Sequence, residues 1–563
     1  MTIELREPDT VMRLSRMGAA HQTRLSFMRV LLRKLRQEKW KFDRPVWKID
    51  ANGVGTAIYR AIGPRRTYSL VAFAHDLPDE MRSDRVIATA WDATFALFDG
   101  TPTEADVERL RKNVPLQEAG RVSDSELSLS RANRSVRLWN HVVECLAEGR
   151  QPDRENIESV GYLMRTTAVY GSGKFGAADY KTLAGRNVLG GPFRAEMLAV
   201  YLIRCFSLDL VEHFARQKGG SKAANLDPDL RRALGIGNST GLGMAPFLVN
   251  HPGLLSAWII ARETALAKVR NIERAAPEEI QVFQNYLARA CALVDSWGTS
   301  HEAQAVRVAE LRSDLDALKD RVANEYLDQQ KPWDRLFRWA TKKLSVEAQE
   351  LVASLVLEPY GELIDPLAES MTVDESEGFQ IDASRPLIEL KSLIEQRYRW
   401  AQTPDYDAPG HSARFWYVSE AKLEPRLGER YDEPGAEREQ PLDIGRRASR
   451  LENDLRRWPD NVSIADFLTS HPEHRRIIRR AQLAQSSPYS EIRDNLICSE
   501  LMPIDMLRCK LSFFGATRFD PRSDRWVRIT MYQNAPFPDE LFNLPEDDWI
   551  YPDTSSPAGR AAA

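Results

Sequence analysis

The sequence predicts a mainly α protein: a helical core with a small N-terminal antiparallel β-meander and a mixed α+β C-terminal region. Three observations carry this. Apolar residues recur at helical spacing through most of residues 79–370. Three short strand-like stretches precede that region, with Asn52-Gly53, a strong hairpin signal, between the first two. Two more strand-like stretches, "CKLSFFGATRFD" and "RWVRITMYQ", flank the turn "PRSD" near the end. The expected organisation is a basic amphipathic helix at 1–43, the meander at 44–78, a helical core at 79–370 and the mixed region at 371–563.

From Arg13 to Lys41 the chain is locally basic, while Leu25, Met28, Leu32 and Leu35 form an apolar stripe. The pattern predicts a docked helix with a solvated basic face. "RPVWKID", "GTAIYRA" and "RTYSLVAFAHD" supply the meander, with "GPRR" as its second turn and His75-Asp76 as a polar terminator. "TPTEADVERL" places Thr103 and Asp106 at capping-box spacing. "PFRAEMLAVYLIRCFSLDLVEHFAR" is apolar nearly all round and predicts a central buried helix. Val308, Leu311, Leu315, Leu318 and Val322 form a short heptad-like stripe, expected to pack in a helical hairpin. The polar stretch 401–447 surrounds a strand-like core, "ARFWYVSEAKLEPR".

Composition excludes several functions. The chain has 563 residues, 43% hydrophobic and 28% charged, with a net charge of −4, so nucleic acid is disfavoured as a partner. Its five cysteines (Cys145, Cys205, Cys291, Cys498, Cys509) are widely spaced, without a CxxC. That suits a reducing cytoplasm and argues against thiolate zinc. No signal peptide and no membrane span are expected.

Candidate chemistry begins at "AVYGSGKFGAADY". Gly173-Lys174 supplies half of a Walker A loop, but Ala168 replaces the first glycine and Phe175 the magnesium-holding hydroxyl. Gly171, Gly173 and Gly176 spell GxGxxG, yet the lead-in "NIESVGYLMRTTAVY" reads as helix rather than the strand a dinucleotide fold requires. The expectation that survives is an anion-binding loop of free amides, formed by Tyr170, Gly171, Ser172 and Gly173 beside Lys174. In "LGIGNSTGLGMAPF", Gly237 to Gly241 matches GxSxG, but a helical lead-in disfavours a nucleophile elbow. Asn238, Ser239 and Thr240 are expected to bind ligand through amides and hydroxyls. In the third segment, a single strand would align Arg414, Trp416, Val418, Glu420, Lys422 and Glu424 on one face. Glu420 and Lys422 are the acid–base candidates, with Arg414 and Arg426 for an anion.

Three further patterns have structural explanations. His471 and His474 have HxxH spacing, but Ser470 and Glu473 suggest a capping box and no third ligand is evident, so no metal is expected. His141 and Cys145 lie one helical turn apart, too little for a thiol catalyst. Asp209 with His213, and Glu196 with Arg204, share faces of the buried helix and need partners there or a site to point into.

The expected function is an intracellular metabolic enzyme of lyase or hydrolase type acting on a small polar anionic substrate, without a bound cofactor. One alternative is a non-catalytic scaffold or regulator with helical partner contacts, including a homo-oligomer. Another is an enzyme whose glycine loops hold a flavin or nucleotide in an unfamiliar way.

Overall fold

In the computed structural model the chain enters its sheet after helix α1 (Phe27–Gln37). The structure describes residues 4–78, 80, 90–114, 123, 125–171, 189–191, 193–238, 252–299, 302–323, 326–371, 380–406, 416–419, 425–427, 439–441, 444–493, 508, 510–519, 529–543 and 549–551.

The meander forms as the sequence suggests, as β1 (Lys41–Ile49), β2 (Gly55–Ile62) and β3 (Thr67–Ala74). Asp50 Oδ1 accepts the N–H groups of Asn52 and Val54, and Gly53 takes the left-handed φ of 78° that this turn needs. The strands then continue where helix was expected. β4 (Ala93–Asp99), β5 (Glu126–Arg134), β6 (Tyr162–Gly171) and β7 (Gly235–Asn238) extend the sheet. Between them lie α2 (Glu104–Asn113), α3 (Trp139–Ala147), α4 (Arg154–Val160), α5 (Arg194–Gly219) and α6 (Pro228–Arg232).

A helical region follows: α7 (Pro252–Arg270), α8 (Pro277–Asp295), α9 (Glu302–Ala323), α10 (Pro332–Lys343), α11 (Val346–Leu355) and α12 (Leu387–Tyr398). β8 (Trp416–Ser419), β9 (Pro425–Leu427) and β10 (Glu439–Pro441) make a separate three-stranded sheet. α13 (Ile444–Leu455), α14 (Ile464–Ser470) and α15 (Arg475–Ser486) precede the last strands, β11 (Ala516–Phe519) and β12 (Ile529–Met531).

The main sheet has nine strands in the order β1-β2-β3-β4-β5-β6-β7-β12-β11. The mainly-α expectation is therefore corrected: this is a mixed protein whose sheet draws strands from both ends of the chain. The physical reason is burial on both faces. α5 covers one face, where Phe206 meets Phe95 of β4 edge-on at 5.3 Å. α2 covers the other, with Leu110 packed among Val71, Phe73, Ala96 and Phe98. Strands buried on both sides lose the apolar–polar alternation that marks a half-exposed strand.

Several local expectations hold. Thr103 and Asp106 form a capping box on α2. α5 is buried along most of its length. The heptad-like stripe of α9 is buried against α8, and Arg312 caps α8 by donating to the carbonyls of Val294, Asp295 and Trp297. Others do not. The third segment is not one strand: β8 turns back on β9 with Tyr417 opposite Arg426. Ser470 does not cap α15; the capping serine is Ser463, at the start of α14. The basic face of α1 is not solvated either. Arg29 is fully buried and donates twice to Glu358 at 2.7 Å, while Arg24 pairs with Asp365 at 2.7 Å.

Candidate functional site

The structure brings together the strands that feed the two glycine-rich stretches. β6 and β7 are parallel neighbours, with Arg165 opposite Gly237 and the Thr166 hydroxyl donating to the Gly237 carbonyl. Both chains therefore enter their glycine-rich stretches heading the same way. The lead-in of the first is helix only as far as Val160, in α4; from Tyr162 it is strand, with residues 162–166 buried within the sheet. Tyr170 and Gly171 are backbone members of β6, opposite Leu129 and Ser128. Asn238 ends β7, opposite Ile529. Ser172, Gly173, Lys174, Ser239, Thr240, Arg414, Glu420 and Lys422 lie outside the described residues. Arg426 belongs to the separate small sheet. Part of the glycine content is structural: a Cβ at Gly235 would meet the Met531 carbonyl at 2.3 Å, and one at Gly237 would meet the Tyr162 ring at 2.6 Å.

Two buried polar groups lie toward the end of the sheet where β6 finishes. Ser128 sits opposite Leu97 in register and is fully buried, and its hydroxyl has no hydrogen-bond partner among the described residues. Cross-strand partners share a face, so Ser128 is on the side of Phe95 and Leu97, which α5 covers. Glu196 is in the first turn of α5, 2% exposed. Ile203 and Leu210 continue its stripe along the helix. The far end of α5 meets the β1–β2 turn, where His213 Nε2 lies 2.8 Å from the Asp50 carbonyl. Glu196 is therefore at the opposite end of the sheet, where β6 finishes. Among the described residues it has no partner beyond its own N–H, and burial pushes its carboxyl up to about 7. Phe193, three residues earlier, has φ of 55°, rare for an aromatic residue, and is held by the rings of Phe27 and Phe514.

A second feature, not anticipated from the sequence, is a cleft of about 560 Å³ between β1–β2, α5 and residues 537–542. Trp40, Phe42, Phe537 and Phe542 give it apolar walls, and Cys205 lies at its α5 side. Its charges are organised in pairs. Tyr59 donates to Asp209 Oδ2 at 2.6 Å, and Arg44 reaches the same oxygen at 2.6 Å while stacking on Trp47. Arg60 pairs with Asp43. Arg231 pairs with Asp539 at 2.8 Å and lies 4.5 Å over the Phe537 ring, which Arg204 approaches at 3.8 Å. Lys41 has no carboxylate partner among the described residues, so the lining residues hold four cations and three carboxylates. Burial pushes the Cys205 thiol up to about 12, far from the thiolate a nucleophile needs.

The weaker candidates find structural partners. His75 contacts the Thr94 hydroxyl at 2.9 Å. Cys145 and Asn156 both contact the same nitrogen of His141, at 3.7 and 3.5 Å, so the ring cannot relay between them. Arg204 donates to the carbonyls of Leu234, Arg232 and Ala535 rather than pairing with Glu196. No helix among the described residues is long and apolar enough to cross a membrane.

The chain matches no protein-family model, and comparison with curated proteins and with solved structures finds no significant match.

Proposed function

We propose that the protein binds a small organic anion with an apolar body in the cleft between β1–β2, α5 and residues 537–542. The single observation that supports this is the cleft itself. Its volume falls within the range of small-molecule sites, its walls are aromatic, and its arginines are held in place by carboxylates. An incoming carboxylate or phosphate ester can share Arg44 or Arg231 with its present partner, while Lys41 supplies the excess charge. Aromatic carboxylates and phosphate esters should raise the thermal midpoint. Arg231→Met, which keeps the stem over Phe537 and deletes the charge, should abolish the shift. An unchanged shift in that variant would reject the site.

A second reading is favoured by Glu196. A buried carboxyl titrating near neutrality is suited to general acid–base work. It stands with the unpartnered Ser128 hydroxyl at the end of the sheet where β6 leads into its glycine-rich stretch. Lyase or hydrolase chemistry in this reading would be centred there, apart from the cleft, whose lining does not include Glu196. Glu196→Gln should then remove turnover while leaving the Arg231-dependent thermal shift in place. The scaffold alternative has less support, because the features behind it, the α1 arginines and the α9 stripe, are spent on packing within the chain. An absorbance spectrum of the purified protein tests the flavin alternative.

A further inference from the structure

The HxxH pattern lacked a third ligand in the sequence. The fold supplies one. His471 caps the end of α14, and Pro472 starts a single turn that carries Glu473 and His474 into α15. Asp454, near the end of α13, reaches across from 20 residues earlier. His474 Nε2 lies 2.9 Å from Asp454 Oδ2. His471 Nδ1 lies 3.2 Å from Glu473 Oε1, which is 4.0 Å from His474 Nε2. One donor atom from each of the four residues falls within 4.8 Å of the others.

Zinc bonds of about 2.0–2.1 Å at tetrahedral angles put neighbouring donors about 3.3 Å apart. The observed separations bracket that value, so small side-chain rotations complete the shell. The rings are already braced. Phe467 stacks on His471 at 4.9 Å and on His474 at 5.9 Å, and Trp458 meets His471 edge-on. His474 is buried, whereas Glu473 is exposed, leaving a path for an ion to enter. Imidazole with carboxylate suits zinc and its transition-metal neighbours, not calcium or magnesium, which take oxygen donors.

We infer that Asp454, His471, Glu473 and His474 form a zinc-type divalent metal site that clips α13 to the α14–α15 junction. The ion takes the place of the protons now shared between His474 and Asp454 and between His471 and Glu473. The site is separate from the cleft and from Glu196, so it stands or falls without them.

The test uses the full chain, stripped with a chelator, and zinc titrated against a chromophoric competitor. One equivalent should bind, and the thermal midpoint should rise with zinc concentration. Cobalt bound in its place should show the visible absorption of a tetrahedral site. The His471→Gln/His474→Gln double variant should lose both signals. Because His474 also anchors Asp454, that variant could lose stability for other reasons. Exposed Glu473→Gln avoids this, and should weaken zinc by about tenfold or more at unchanged circular dichroism. Failure of the stripped protein to take up zinc would overturn the inference. So would uptake that persists in the double variant, or an unchanged affinity in Glu473→Gln.

Discussion

Arg29 and Glu358 are 329 residues apart in sequence and in contact in the core. Burial alone would raise the Glu358 carboxyl, but Arg29 and His21 more than reverse this and hold it well below the usual carboxylate range. Arg29→Met leaves that buried carboxylate with only His21 and the more distant Arg24, and should cost about 3–5 kcal/mol in chemical denaturation. The Arg29→Met/Glu358→Leu double variant should recover much of the loss, and a double variant as unstable as the single would count against the account. The basic character of this segment was legible in the sequence, but its burial was not, because periodicity carries no information about a carboxylate so far away. Glu196 presents the opposite case. Its place on an apolar helix could be read from the sequence, but its lack of a partner could not. Its folded pKa lies above its ordinary 4.5, so protonation costs nothing at low pH, and stability falls as pH rises from about 4.5 to about 7, by about 3 kcal/mol. Glu196→Gln should gain stability relative to wild type across that window and hold the gain above it. A constant difference between the two across the window would refute the assignment.

At the level of elements, β1–β3 were legible from their strand-favouring residues and the Asn52-Gly53 turn, and α9 from the apolar stripe that it buries. β5 was not. Its residues Ser128, Ser130, Arg131 and Asn133 are polar yet buried, so neither strand nor helix periodicity marks it. β7 is only four residues long and owes its existence to β6 and β12 on either side. The third segment failed for a different reason: a hairpin and a single long strand share the same residue preferences, and only pairing separates them. β1 shows how an edge strand is guarded. It has one neighbour in the sheet, and a bulge between Asp43 and Val46 contains Pro45. A proline cannot donate to an added strand, and the bulge twists the edge out of register. Pro45→Val restores a donor and a β-branched side chain, and should shift sedimentation profiles toward larger species. Profiles matching wild type would show that the edge is protected by other means.

For the whole molecule, the decisive contacts join the last strands to the first. β12 lies against β7, Tyr532 donates to the Met197 carbonyl at 2.9 Å, and Tyr201 donates to that of Pro536 at 3.0 Å. Tyr551 meets His21 at 2.5 Å. One continuous apolar core runs from Val11 to Tyr551. A chain ending before Ile529 should therefore lose cooperative melting and become sensitive to protease along its whole length; a sharp melt in such a fragment would show that the first seven strands suffice. Composition gave no hint of this closure, because a hairpin reads the same whether it stands alone or completes a distant sheet.

The closure also bears on synthesis. Roughly 290 residues separate the end of β7 from the start of β12, which at about 5–20 residues per second is roughly 15–60 s of translation. Throughout that interval the growing chain carries seven strands with an unfilled place beside β7. Chaperone engagement of the ribosome-bound protein should persist until the final strand emerges, making the nascent chain, rather than the finished fold, the stage at which aggregation threatens.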